Sequence, residues 1–128
     1  MRDEQRFFTI FQEDGMADTY ISVTNENFPE QVLQAPQLVV VYFAADKSNS
    51  CQIQEPEFVA VSKAYQDRVT FAKVNVENEE GLTNQYTIDG IPTLVFFKGG
   101  NEIYRIKGIM MRDKLRRQLE GVLLVASE

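Results

Sequence analysis

The chain has no histidine and only one cysteine, Cys51, among its 128 residues. A lone thiol excludes an internal disulfide, and without imidazole the usual nitrogen ligand and the usual general base near neutral pH are both missing. Zinc sites and Ser-His or Cys-His catalysis are excluded on that ground, and no metal and no cofactor are expected. Positive charge is also scarce: 13 Lys and Arg stand against 19 Asp and Glu, giving a net charge of -6 and a pI near 4.7. Affinity for nucleic acid comes mainly from cations clustered on phosphates, so this balance argues against it. The one basic cluster, Arg112 to Gln118 ("RDKLRRQ"), reads as the solvated face of a helix. No apolar run approaches the roughly 20 residues of a spanning helix. The N-terminal "MRDEQRFFTIFQEDG" mixes acids into its aromatic patch, unlike a signal or transit peptide. A cytoplasmic protein without a membrane partner is the expectation.

What is present fits one domain. A 44% hydrophobic and 25% charged chain is ordinary for a globular protein of this size. Gln37 to Ala45 ("QLVVVYFAA") is a continuous apolar run rich in β-branched residues, the pattern of a strand covered on both faces. A similar run follows at Val69 to Val76. Between them Phe58, Val61 and Tyr65 recur at helical spacing, giving a strand-helix-strand unit whose helix should bend at Pro56. Thr93 to Phe97 and Glu102 to Ile106 flank "KGGN" and read as an antiparallel hairpin. Leu115, Leu119, Val122 and Leu123 mark an amphipathic last helix, and Tyr20 to Val23 a short first strand. "NENFPEQVLQ" reads as a short helix capped by Asn25 or Asn27. The sum is an α/β fold, a mixed sheet with helices on both faces in the order β-α-β-α-β-α-β-β-α.

Residues 1–15 stand apart as an N-terminal extension, with the domain proper over 16–128. Phe7, Phe8, Ile10 and Phe11 leave three fates open: docking on the domain, binding a partner, or fraying as terminal segments commonly do. A poorly specified tail is the preferred expectation.

From about Tyr20 to Leu124 the chain resembles the thioredoxin family. The residues that carry the resemblance are Phe43 and Ala45, then Cys51 and the helix proline Pro56, then "FAKVNVE" from Phe71 to Glu77. They continue through Tyr86, "IDGIPTLVFFKGG" from Ile88 to Gly100, and Gly108. The resemblance implies a thioredoxin fold, and a site where two cysteines spaced two residues apart open the kinked helix. Here those four positions read Ser48-Asn49-Ser50-Cys51, so serine holds the attacking place and Cys51 the resolving one. Two tryptophans usual beside the motif correspond to Ala44 and Lys47, and the family's buried aspartate to Tyr42. Pro92, after Ile91, resembles the family's cis-proline, whose neighbouring backbone pairs with the extended chain of a bound substrate.

Disulfide exchange needs a thiolate to attack and a second thiol to release the mixed disulfide. Ser48 cannot attack, because its hydroxyl is not ionised near neutral pH and no histidine is present to activate it. Its expected role is an N-cap, with Asp46 competing. Two readings of Cys51 stay open. A thiol at a helix N-terminus is acidified by the exposed amides, whereas one buried among apolar groups is not. Lys73 should reach the surface or bond an oxygen such as the Tyr42 hydroxyl, and both residues, with reference pKa values of about 10, are read as structural. The leading expectation is a module that has lost dithiol reductase activity and binds a protein or peptide. Its groove would comprise Ser48, Asn49, Ser50, Ile91, Pro92, Gly108 and Ile109. The alternative is a one-thiol redox protein forming mixed disulfides through Cys51. A cluster-holding monothiol glutaredoxin is disfavoured, since that family keeps its cysteine where Ser48 stands.

Overall fold

The computed structural model describes residues 19–127, so the expectation for residues 1–15 and the domain boundary at 16 lie outside the described residues. The described chain builds a five-stranded sheet in the order β1-β3-β2-β4-β5. The strands are β1 (Ile21–Ser22), β2 (Leu38–Ala44), β3 (Val69–Asn75), β4 (Thr93–Lys98) and β5 (Asn101–Lys107). Strands β1, β3 and β2 run parallel, and β4 and β5 are added antiparallel. Helices α1 (Asn49–Tyr65), α2 (Glu80–Gln85) and α3 (Arg112–Ala126) connect or follow them. α1 continues across Pro56.

All seven residues of β2 are buried, and its period of two sorts them into two cores. Leu38, Val40, Tyr42 and Ala44 face Phe58, Val61 and Tyr65 of α1 and Leu115, Leu119 and Val122 of α3. Val39, Val41 and Phe43 face the opposite way, against Phe28, Val32 and Leu82. In β4, Leu94 and Phe96 join the first core, and Val95 and Phe97 the second. A continuous apolar strand is therefore what a two-sided sheet requires. The β4–β5 turn places Gly99 and Gly100 at φ of +60° and +85°, the double positive φ of a tight hairpin turn that glycine adopts without strain.

The segment before β2 departs from the expected capped helix. Pro29–Leu33 is a short π-helix whose start, at Phe28, has no side-chain cap. Asn27 instead accepts the Thr24 amide through its side chain at 2.7 Å. Asn25 turns to another element, accepting the Leu82 amide in the first turn of α2 at 3.1 Å. Both asparagines satisfy backbone donors, but not those of the helix that follows them, because Pro29 already removes one amide that would need a partner.

Candidate functional site

Strand pairing sets the site. Phe43 of β2 pairs with Thr93 of β4, so the end of β2 that leads to α1 lies beside the Pro92 loop that leads into β4. Ser48 is extended (φ −75°, ψ 127°) and its Oγ accepts the Cys51 amide at 3.3 Å, a side-chain N-cap. Asp46, the competing cap, is engaged elsewhere. Asn49 is exposed and Ser50 half-buried, whereas Cys51 is 3% exposed and belongs to the α1-side core. The Tyr42 hydroxyl donates to the Cys51 carbonyl at 3.0 Å, so the first turn of α1 is tied to the sheet below it. Burial is the main cause that pushes the Tyr42 phenol far above its usual range, leaving it neutral.

Lys73 does bond to oxygen, as expected, but the oxygens are carboxylates and not the Tyr42 hydroxyl. The Lys73 ammonium pairs instead with Glu55 at 3.1 Å and Asp46 at 3.2 Å, and lies over the rings of Tyr42 (5.6 Å) and Tyr20 (5.8 Å). With a side chain only 16% exposed, the ammonium needs carboxylates more than a phenol oxygen already committed to Cys51. Burial works to lower the Lys73 pKa, but hydrogen bonding and charge attraction to Glu55 outweigh it and hold it above the usual value. Tyr20 donates to the other Glu55 oxygen at 2.9 Å, and burial together with that bond raises its phenol. A small pocket of about 160 Å³ opens between Asp46, Lys73, Glu55 and Cys51.

Across from α1, the Ile91–Pro92 peptide is cis and the Gly108 amide donates to the Pro92 carbonyl at 2.9 Å. Gly108 sits at φ +87°, where a side chain would be strained. Pro92 itself is buried and Ile91 half-buried, so the apolar surface offered here comes from Ile91 and from Ile109, which is 42% exposed. Pro92 thus shapes the loop without presenting its own ring.

Two side chains that position this surface escaped the sequence reading. Gln54, fully buried, donates to the Met110 carbonyl at 2.9 Å and accepts the Met110 amide at 2.8 Å. Glu57 accepts the Arg112 amide at 2.8 Å and its guanidinium at 3.0 and 3.1 Å. Met111 provides no side-chain cap for α3, so Glu57 supplies from α1 an acceptor that the first turn of α3 lacks. A signal for Gln54 exists: it falls on the stripe Cys51, Gln54, Phe58, Val61, Tyr65, all buried. A polar residue on an otherwise apolar stripe needs a partner.

The thioredoxin family model matches residues 19–121. The chain belongs to the thioredoxin family. It is 35% identical over 103 residues to a thioredoxin of Alicyclobacillus acidocaldarius subsp. acidocaldarius, covering 80% of this chain and 97% of that one. Thioredoxin-T of Drosophila melanogaster is 38% identical over 89 residues, 70% of this chain and 56% of that protein. A chloroplastic Thioredoxin Y of Oryza sativa subsp. japonica is 30% identical over 103 residues, covering 80% and 61%. The chain therefore spans nearly all of the bacterial relative and little more than half of the other two.

Within this thioredoxin fold, the start of α1 offers one shielded sulfur and a serine oxygen used in capping, beside a lysine of β3 neutralised by two carboxylates. Exchange through a single thiol stops at the mixed disulfide unless a second thiol from outside resolves it. Among the described residues no group of three or more His, Cys, Asp or Glu side chains could hold a metal ion, and no helix is long and apolar enough to cross a membrane.

Proposed function

We propose that this thioredoxin-family chain is a cytoplasmic protein-binding module without dithiol turnover, engaging an extended segment of its partner between the start of α1 and the Ile91–Pro92 and Gly108–Ile109 turns. The observation that carries this reading is the state of the motif: the Ser48 oxygen is committed to the Cys51 amide, and Cys51 itself is 3% exposed. A backbone-lined cleft with apolar side chains at its edges recognises extended peptides whether or not a thiol attacks. The test is reduction of a protein disulfide under a dithiothreitol supply. The native protein is expected to add nothing to the rate of dithiothreitol alone, whereas Ser48→Cys, which restores two thiols, should accelerate it. Catalytic turnover by the native chain sinks the proposal. Partner capture, in turn, should be lost in Ile91→Asp and Ile109→Asp, and capture that survives both places the interface elsewhere.

A second reading rests on the 160 Å³ pocket, which reaches Cys51 beside the Lys73 ammonium. Glutathione disulfide entering there would exchange with the sulfur beside the Lys73–Glu55–Asp46 cluster, joining one glutathione to Cys51 and releasing the other as thiol. This reading calls for a glutathione adduct on the folded protein, seen by mass spectrometry and absent in Cys51→Ser.

A further inference from the structure

Where the described chain begins, it runs along a groove. Thr19 and Ser62 share a hydroxyl hydrogen bond, and Tyr20 forms one wall of a depression of about 670 Å³ on the outer face of α1. Its floor is Pro56, Val59 and Ala60, and its cations are Lys63, next to Ser62, and Arg112, whose guanidinium is already paired with Glu57 at 3.0 Å. Glu55, the one acid lining it, is already shared between Lys73 and Tyr20. The volume lies in the range of sites that enclose several ring-sized groups. The residues lining it do not include Ser48, Ile91, Pro92, Gly108 or Ile109.

Residues 1–18 precede the family match and carry a cluster of the matching chemistry. Phe7, Phe8, Ile10 and Phe11 are bracketed by Asp3 and Glu4 on one side and Glu13 and Asp14 on the other. Over residues 1–18, five acids stand against two arginines, opposite in sign to Lys63, the rim cation outside the Arg112–Glu57 pair. Phe11 stands eight residues before Thr19, and eight extended residues span up to about 28 Å. The groove from Lys63 to Pro56 is seven helical residues long, about 10 Å. The order along the sequence is compatible with that path: Glu13 and Asp14 are nearer to Thr19 than Phe7–Phe11 are, as Lys63 is nearer to Ser62 than Pro56 is.

We propose that the aromatic cluster Phe7–Phe11 of this chain docks intramolecularly in the groove formed by Tyr20, Pro56, Val59 and Ala60, with Glu13 and Asp14 paired to Lys63. The geometry that carries this is the position of an apolar groove, with Lys63 on its rim, directly at the point where the N-terminal segment joins the domain. Docking covers the outer face of α1 and leaves the Ile91 and Ile109 side open, so it is independent of the function proposed above.

The chain lacks tryptophan, so Phe8→Trp in the full-length protein places a single indole in the cluster. Docking is expected to give blue-shifted emission and slow acrylamide quenching, independent of protein concentration. Lys63→Glu, an exposed change that leaves the core alone, should shift the emission to the red and speed quenching, and Ala60→Glu should do so more strongly, with urea midpoints confirming that both fold. Four results overturn the proposal: emission of a fully exposed indole in the native chain, shielding untouched by both groove variants, shielding that grows with protein concentration, which assigns the groove to a second copy, or shielding that appears only with an added partner.

Discussion

Replacing Glu57 by glutamine tests whether the start of α3 is held from α1 rather than by its own cap. The carboxylate receives three hydrogen bonds from Arg112, one from the backbone amide and two from the guanidinium. Bonds to a charged group are worth about 1.5–3 kcal/mol each when shielded. The Arg112 side chain is 51% exposed, so water already satisfies much of it and its share must be discounted. Glutamine can still accept the Arg112 amide and Nε through one neutral oxygen, but its NH2 faces the guanidinium Nη2 and offers nothing to it. The net loss is about 1–2 kcal/mol, a urea midpoint lower by about 0.5–1 M at typical slopes for small domains.

The pH dependence makes the test specific. Side-chain and backbone hydrogen bonds from Arg112 hold the Glu57 carboxyl below its usual value, against the upward pull of burial. A depressed carboxylate contributes stability that is complete above the ordinary value near 4.3 and is lost as pH falls through the lower folded value. The gap between native protein and Glu57→Gln, read by urea unfolding followed by circular dichroism, should be full at pH 7 and close on the acid side. A gap that stays constant from pH 7 down the acid limb refutes the reasoning, since a neutral packing role would not titrate.

Three further outcomes follow from the motif. Cys51 in the folded protein should react with iodoacetamide at least about tenfold more slowly than in urea, as burial to 3% implies, and equal rates would mean that the sulfur is open. Ser48→Ala should cost about 1 kcal/mol through loss of the cap while Ser48→Asp retains most of it, and thermal unfolding of the pair checks this. Tyr42→Phe removes a buried donor to the Cys51 carbonyl and should cost about 1 kcal/mol with faster alkylation of Cys51, whereas unchanged alkylation would show that the phenol does not steady the turn.

The two-sided sheet was readable because β2 is apolar at every position, and the hairpin because a turn with two glycines separates two strand-forming runs. The cap at Ser48 was readable as well, since residue type and position coincide. What escaped were the partners of side chains far apart in sequence. Lys73 on β3 finds Glu55 on α1 and Asp46 in the loop, and three charged positions at those separations carry no local pattern. Asn25 was assigned to the helix immediately after it, whereas its oxygen serves α2, 57 residues downstream. Glu57 and Arg112 look like ordinary surface charges until α1 and α3 are packed side by side. Periodicity reports which face of an element is buried; it does not say which distant backbone group a polar side chain will complete.

The amide of Cys51 donates to a serine oxygen, and that choice has a consequence for regulation. A helix that opens with two thiols has two covalent forms, and the ambient redox potential selects between them. Here the same turn has one internal covalent form at any potential. Under the proposed binding role, a partner docking beside it would meet a turn that no internal disulfide can reshape, and its occupancy would follow the concentrations of the two proteins.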